Sequence, residues 1–285
     1  MNAIQEQYQL HPENNPNVEH PAVNPDCIPD NEKLPPIDVV KSLSGEEFFS
    51  RLSALMIANP PPLEDASMVS VLGTIGVGPM AKGKVSDLSK LQKKQLDMGI
   101  ATAQVSLNTS VDLLGFGGWG PNPALVPLGD YGTRYFIRAI VAQVGFGANR
   151  GEFAVYQNAS RDENLEKLNG DNSYTLTFNA NELPPVKAFW SLTVYGDDGF
   201  LRDNQAANTV GIQRYALGSN DELTSDDKGN VTIYMSNIPP SGVPLSNWLP
   251  PPLGNFQVTI RLYNPELEIL ENEWQVPSLI KEGGI

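Results

Sequence analysis

Histidine and cysteine are almost missing from this chain of 285 residues: His11, His20 and Cys27 fall within the first 27, and the rest contain neither. A Ser-His-Asp or Cys-His nucleophile therefore cannot be assembled from the body of the fold. Zinc, haem and iron–sulfur centres lose their usual ligands as well, and a lone cysteine rules out an intrachain disulfide. The expectation is no cofactor and no metal. Any chemistry would have to use carboxylates, Lys, Arg, Tyr, hydroxyls, backbone amides or a hard oxygen-liganded cation. Long apolar runs are also lacking, so no membrane span is expected. The amino terminus has neither a basic start nor an apolar core, so it does not read as a signal peptide. A cytoplasmic location is expected, although an exported form trimmed of its leader would read the same. Positive charge is scarce: 19 Lys and Arg face 33 Asp and Glu, giving a net charge of −14. Nucleic acid is excluded as a partner, because phosphate binding needs a cationic footprint.

What is present divides into three. Residues 1–36 hold seven prolines and many Asn and Glu, and read as an extended arm. Residues 37–149 read as helical. Ser44-Gly45-Glu46-Glu47 matches a capping box, after which Phe48, Leu52, Leu55 and Met56 share one helical face up to a stop at Asn59-Pro60-Pro61-Pro62. Further helices are expected from Asp65 to about Ile75, with the aspartate as cap, from Asp87 to Leu114, and from Asp130 to Gly147. The last carries Arg134 and Arg138 on one face among apolar residues, so Arg138 either satisfies a structural acceptor or faces a ligand. The glycine-rich loop Gly115–Pro123 surrounds Trp119 and lacks the ending of a phosphate-binding loop.

From residue 150 to 285 the hydrophobic period changes to two. Candidate strands are Phe153–Tyr156, Tyr174–Phe178, Ala188–Tyr195, Ile212–Ala216, Val231–Met235 and Phe256–Tyr263, separated by Asp-, Asn- and Gly-rich turns. The class read from this pattern is α+β, with a helical amino-terminal portion packed on an antiparallel β-sandwich of jelly-roll type.

The segments YGTRYFIRAIVAQVGFGAN, FWSLTVYGDDGFLRDN, RYALGSND and NWLPPPLGNFQVTIRLYNP occur in this order across Tyr131 to Pro277. In that series the chain resembles the bacterial domain-of-unknown-function family 1214. The resemblance implies a jelly-roll-like carboxy-terminal domain, usually preceded by a family 1254 domain, where this chain has its proline-rich arm. It implies no reaction and no catalytic set.

Alternation places Trp190, Leu192 and Val194 on one face of their strand, with Ser191, Thr193 and Tyr195 on the other. The last long strand sets Phe256, Val258, Ile260 and Leu262 against Gln257, Thr259, Arg261 and Tyr263. If the two strands are neighbours, Thr193, Tyr195, Arg261 and Tyr263 form either a solvated outer face or a binding surface. Asp197, Asp198 and Asp203 lack the glutamate at residue 208 that a calcium loop starting at Asp197 would need, and read as turn residues. Arg214 could pair with Asp203. Trp248, before three prolines, is either a core anchor or a ring for stacking a sugar. The candidate ligand-binding residues are thus Arg138, Tyr195, Arg214, Trp248, Arg261 and Tyr263. Three functional classes stay open: a noncatalytic binding or assembly module for a small polar or carbohydrate-like ligand, a histidine-independent lyase, isomerase or glycoside-active hydrolase, and a structural homo-oligomerisation domain.

Overall fold

A computed structural model describes residues 36–79, 81–114, 118–120, 128–145, 147–204, 207–208, 210–212 and 214–283. His11, His20 and Cys27 lie outside these residues, as does most of the glycine-rich loop. Within the first 44 residues, the described structure includes a short helix α1 (Pro36–Ser42). Proline at its first position costs no helical hydrogen bond, since that amide would be unpaired anyway.

Gly45 to Ile285 is the second compact unit. It opens with α2 (Gly45–Ala58), α3 (Ala66–Gly73), α4 (Lys90–Leu114) and α5 (Tyr135–Val144). Helix α4 starts three residues later than Asp87. Ser89 and Gln92 form the reciprocal cap there, with the Ser89 amide donating to Gln92 Oε1 at 3.0 Å. Asp87 instead accepts the Lys84 amide at 2.9 Å and closes a 3-10 turn over Val85–Asp87. Gly45 lets α2 approach α4 closely, because a Cβ there would lie 2.7 Å from that of Leu96. The Gly45 amide donates to Asp97 Oδ1 at 2.7 Å, and Lys93 pairs with Glu46 at 2.9 Å. Met56, Val77 and Val85 are buried in a small apolar cluster of this helical part, separate from the sheet core.

Seven strands follow among the described residues: β1 (Ala154–Ala159), β2 (Tyr174–Phe178), β3 (Val186–Gly196), β4 (Ala216–Gly218), β5 (Val231–Met235), β6 (Phe256–Pro265) and β7 (Ile280–Lys281). A short helix α6 (Leu267–Leu270) separates the last two. The strands form a four-stranded sheet, β1-β6-β3-β4, and a three-stranded sheet, β5-β2-β7, with every pairing antiparallel. The fold is therefore α+β with two antiparallel sheets. Four strands plus three is one short of the eight of a jelly roll among the described residues. The strand expected over Ile212–Ala216 begins only where that range ends, with Tyr215 in a bend just before it.

The apolar face of β3 and β6 is buried as the alternation requires, while on the other face Thr193 and Thr259 are buried as well. Trp190, Leu192 and Val194 are buried, as are Phe256, Val258, Ile260 and Leu262. These meet Leu176 and Phe178 of β2, and Ile233 and Met235 of β5, in one core between the sheets. The Phe178 and Trp190 rings lie 5.1 Å apart, and those of Tyr174 and Phe256 lie 5.7 Å apart. Each such side chain contributes about 1.5–3 kcal/mol by leaving water.

Trp248 is fully buried, and its indole N–H donates to the Ser236 carbonyl at 2.9 Å. It anchors the proline segment between the last two long strands and is not placed to stack on a sugar. Trp248→Ala should remove that anchor and leave a cavity, lowering unfolding free energy in a denaturant titration by about 3–5 kcal/mol.

Candidate functional site

Strand register brings the predicted polar positions together. Ser191 stands opposite Arg261, Thr193 opposite Thr259, Tyr195 opposite Gln257 and Phe189 opposite Tyr263. On the other side of β6, Tyr156 faces Arg261 and Asn158 faces Thr259. Arg261 is the centre of this face. Its Nη1 donates to Thr193 Oγ1 at 2.9 Å and its Nη2 to the Tyr195 hydroxyl at 2.6 Å. The guanidinium carbon lies 5.6 Å from the Tyr195 ring centre and 6.0 Å from that of Tyr156. Thr259 donates to Asn158 Oδ1 at 2.6 Å. Tyr263 stacks on Phe189 with centroids 4.3 Å apart and meets Tyr156 edge-on at 6.2 Å. Desolvation pushes the Tyr263 hydroxyl above its ordinary pKa, with Tyr156 adding to the effect. Tyr263 is therefore neutral across the physiological range, a hydrogen-bonding group and not a ready base.

Arg261 is half-buried, and among the described residues no carboxylate forms an ion pair with it. Neutral hydroxyls orient it and rings flank it, so its charge is positioned and uncompensated. Three of the six predicted residues, Tyr195, Arg261 and Tyr263, thus share one surface. Tyr156, Asn158 and Phe189 belong to it but were not among the candidates. Tyr156 stands at the last residue of its expected strand and Asn158 two beyond it, so alternation within a strand read through to Ala159 would have aligned both.

The other three lie elsewhere. Arg214 donates from Nη1 to the carbonyls of Leu245, Ser246 and Trp248, at 2.8, 3.2 and 3.0 Å, and so clamps the turn leading to buried Trp248. Asp203 accepts from the Tyr215 hydroxyl, which that carboxylate holds above its usual pKa. Asp198 accepts from Arg202 and from the Phe200 amide; the arginine hydrogen bond, followed by that amide, lowers its pKa. Asp198 is therefore engaged in closing its own turn, and Asp203 is tied to Tyr215. Among the described residues, no three His, Cys, Asp or Glu side chains gather as a metal site would require.

Arg138 belongs to the helical part. It donates to both oxygens of nearly buried Asp65, at 3.0 and 3.4 Å, and to the Gly132 carbonyl. Tyr135 adds a hydrogen bond to Asp65 at 3.0 Å. Asp65, expected to cap α3, makes no side-chain cap there because its carboxylate is turned to these two partners. The arginine's structural role accounts for its place in an apolar helix.

Two antiparallel sheets behind a helical front, with an arginine-centred outer face, define the class. The family described as "Protein of unknown function (DUF1214)" matches residues 153–267, so the carboxy-terminal part of the chain carries the resemblance read from its motifs. The crystal structure of the VPA0106 protein from Vibrio parahaemolyticus is similar, with a TM-score of 0.53 and 24% identity over 77% of this chain and 51% of that one. The likeness concerns the fold alone, and this chain spans about half the length of that relative. A putative uncharacterized protein from Burkholderia cenocepacia aligns with a TM-score of 0.31 and 12% identity, over 51% of this chain and 32% of that one. No curated protein matches.

The Asp65 cluster fixes a pH dependence. Arg138 holds the folded carboxyl below its ordinary pKa against desolvation, which acts the other way. Its contribution is complete above the unfolded value of about 3.9 and fades as pH falls through the lower folded value. Asp65→Asn should lower Tm by about 3–8 °C at neutral pH. That difference should shrink on acidification below about pH 4, as followed by circular dichroism.

Proposed function

We propose that this chain is a binding module whose outer sheet face takes a small polar ligand bearing an anionic group, such as an acidic sugar. The observation that carries the reading is Arg261, pre-oriented by Thr193 and Tyr195 and without an ion pair among the described residues. In a chain of net charge −14, a positioned guanidinium without a carboxylate partner selects for anions locally against the overall field. The rings of Tyr156 and Tyr195 beside it supply amphipathic contact area. Exposed Asn158, held by the buried Thr259 hydroxyl, adds an amide for orientation.

Thermal-shift and calorimetric titrations with glucuronate and glucose address this directly. Glucuronate at one hundred times its Kd should stabilise the protein by about 2.7 kcal/mol, a Tm rise of several degrees. Glucose should do much less. Arg261→Ala should abolish the glucuronate response, and Tyr195→Phe should weaken it severalfold. Equal responses in the parent and in Arg261→Ala would remove the face from consideration.

The assembly reading has one observation of its own. Leu91, Met98 and Val105, seven residues apart along α4, are 67%, 61% and 66% exposed. That heptad spacing forms an apolar stripe of the kind that pairs helices. If two copies pair through it, light scattering should report a dimer, which Met98→Glu should convert to monomer.

A further inference from the structure

We propose a second binding site, where β3 and β5 end and β6 begins, that takes a neutral polyhydroxylated ligand such as a hexoside. It does not depend on the outer-face reading, since none of the residues around Arg261 lines it. A cavity of about 580 Å³ opens there between three loop segments: residues 196–204 after β3, 237–238 after β5 and 252–255 before β6. Its size lies within the range of small-molecule sites.

Buried Asn204 joins the three segments into one frame. Its Nδ2 donates to Asn237 Oδ1 at 3.1 Å and to the Pro251 carbonyl at 2.5 Å, and its Oδ1 accepts the Ala207 amide at 3.0 Å. A single side-chain amide thus uses donors and acceptor to hold loops that come from distant parts of the chain. Gly196 lets the first loop fold back on the end of β3, because a Cβ there would lie 2.9 Å from Arg202 Cγ and from Asp198 Oδ1. Asn255 is fixed from outside the cavity by Asn169, whose Nδ2 donates to Asn255 Oδ1 at 3.2 Å. The walls are therefore set before any ligand arrives.

These bonds leave both donors and acceptors over, on side chains that solvent reaches. Asp197, Arg202, Asp203 and Asn255 are exposed, and Asn237 is half-buried. Among the described residues, Asp197 makes no hydrogen bond or ion pair. Asp203 commits Oδ1 to Tyr215 and keeps Oδ2. Arg202 commits Nη2 to Asp198 and keeps Nε and Nη1. Asn237 and Asn255 accept through their oxygens, which leaves their amide hydrogens to donate. Ile238 and Leu253, 69% and 64% exposed, add an apolar wall. This inventory selects the ligand. An anion meets repulsion from three aspartates. An ammonium suits the carboxylates but offers no acceptor to Arg202 or to the two amides. A hydroxyl donates and accepts at once, and a ring of hydroxyls has C–H surface to lay on Ile238 and Leu253.

Calorimetric titrations of the full chain carrying Arg261→Ala, which takes the outer face out of the measurement, test this. The probes are methyl glucoside, methyl galactoside and methyl mannoside, with glucuronate and glucosamine as charged counterparts. At least one neutral glycoside should bind about tenfold more tightly than glucuronate and no more weakly than glucosamine. Asp197→Ala removes an exposed acceptor and should weaken that glycoside about tenfold. Ile238→Ser, also at an exposed position, should weaken it severalfold through lost apolar contact. With Arg261 intact, Asp197→Ala should leave any glucuronate response unchanged, so the two sites fail or succeed separately. No binding by any of the three glycosides, glucosamine binding tightest of all the probes, or undiminished glycoside affinity in both variants would overturn the proposal.

Discussion

The antiparallel pairing of β3 with β6 is the constraint on which the rest of the molecule depends. It runs without a break from Phe189 opposite Tyr263 to Gly196 opposite Phe256, and the side-chain period of two makes it a single decision with two outcomes. One face delivers Trp190, Leu192, Val194, Val258, Ile260 and Leu262 to the core. The other necessarily aligns Thr193 and Tyr195 with Thr259 and Arg261. A slip of one residue would bury the guanidinium and expose the core together. The energy that specifies the core therefore also positions the polar face, which needs no strain of its own.

Other polar groups follow a different logic, in which a charge is retained to hold backbone. Arg214 gathers three carbonyls around the turn before Trp248. Arg138 joins Asp65 to the Gly132 carbonyl across the helical part. In both, the guanidinium fork serves several acceptors that would otherwise be left without donors. Arg261 has the same fork but spends it on two side-chain hydroxyls. This sets it apart chemically from its fellow arginines, although all three look alike as single letters.

That contrast explains which features were legible in the sequence. Periodicity reports which face of a strand a residue occupies, so the core positions of β3 and β6 and the grouping of Tyr195, Arg261 and Tyr263 could be read in advance. Periodicity does not report partners distant in sequence. Asp65, read as a helix cap, meets an arginine 73 residues away. The functional candidacies of Arg214 and Trp248 rested on residue type, which reports neither the burial of Trp248 nor the carbonyls that Arg214 meets. The two-residue strand β7 is too short to show any period.

The place of β6 in its sheet has a kinetic side. It lies between β1 and β3 although it follows both in the chain by many residues, and the Asn158–Thr259 bond alone joins positions 101 apart. As the polypeptide emerges from the ribosome, β1 and β3 must wait with unpaired edges for a central member made much later. Until it arrives, their apolar faces are open to self-association, a burden suited to chaperone protection during synthesis.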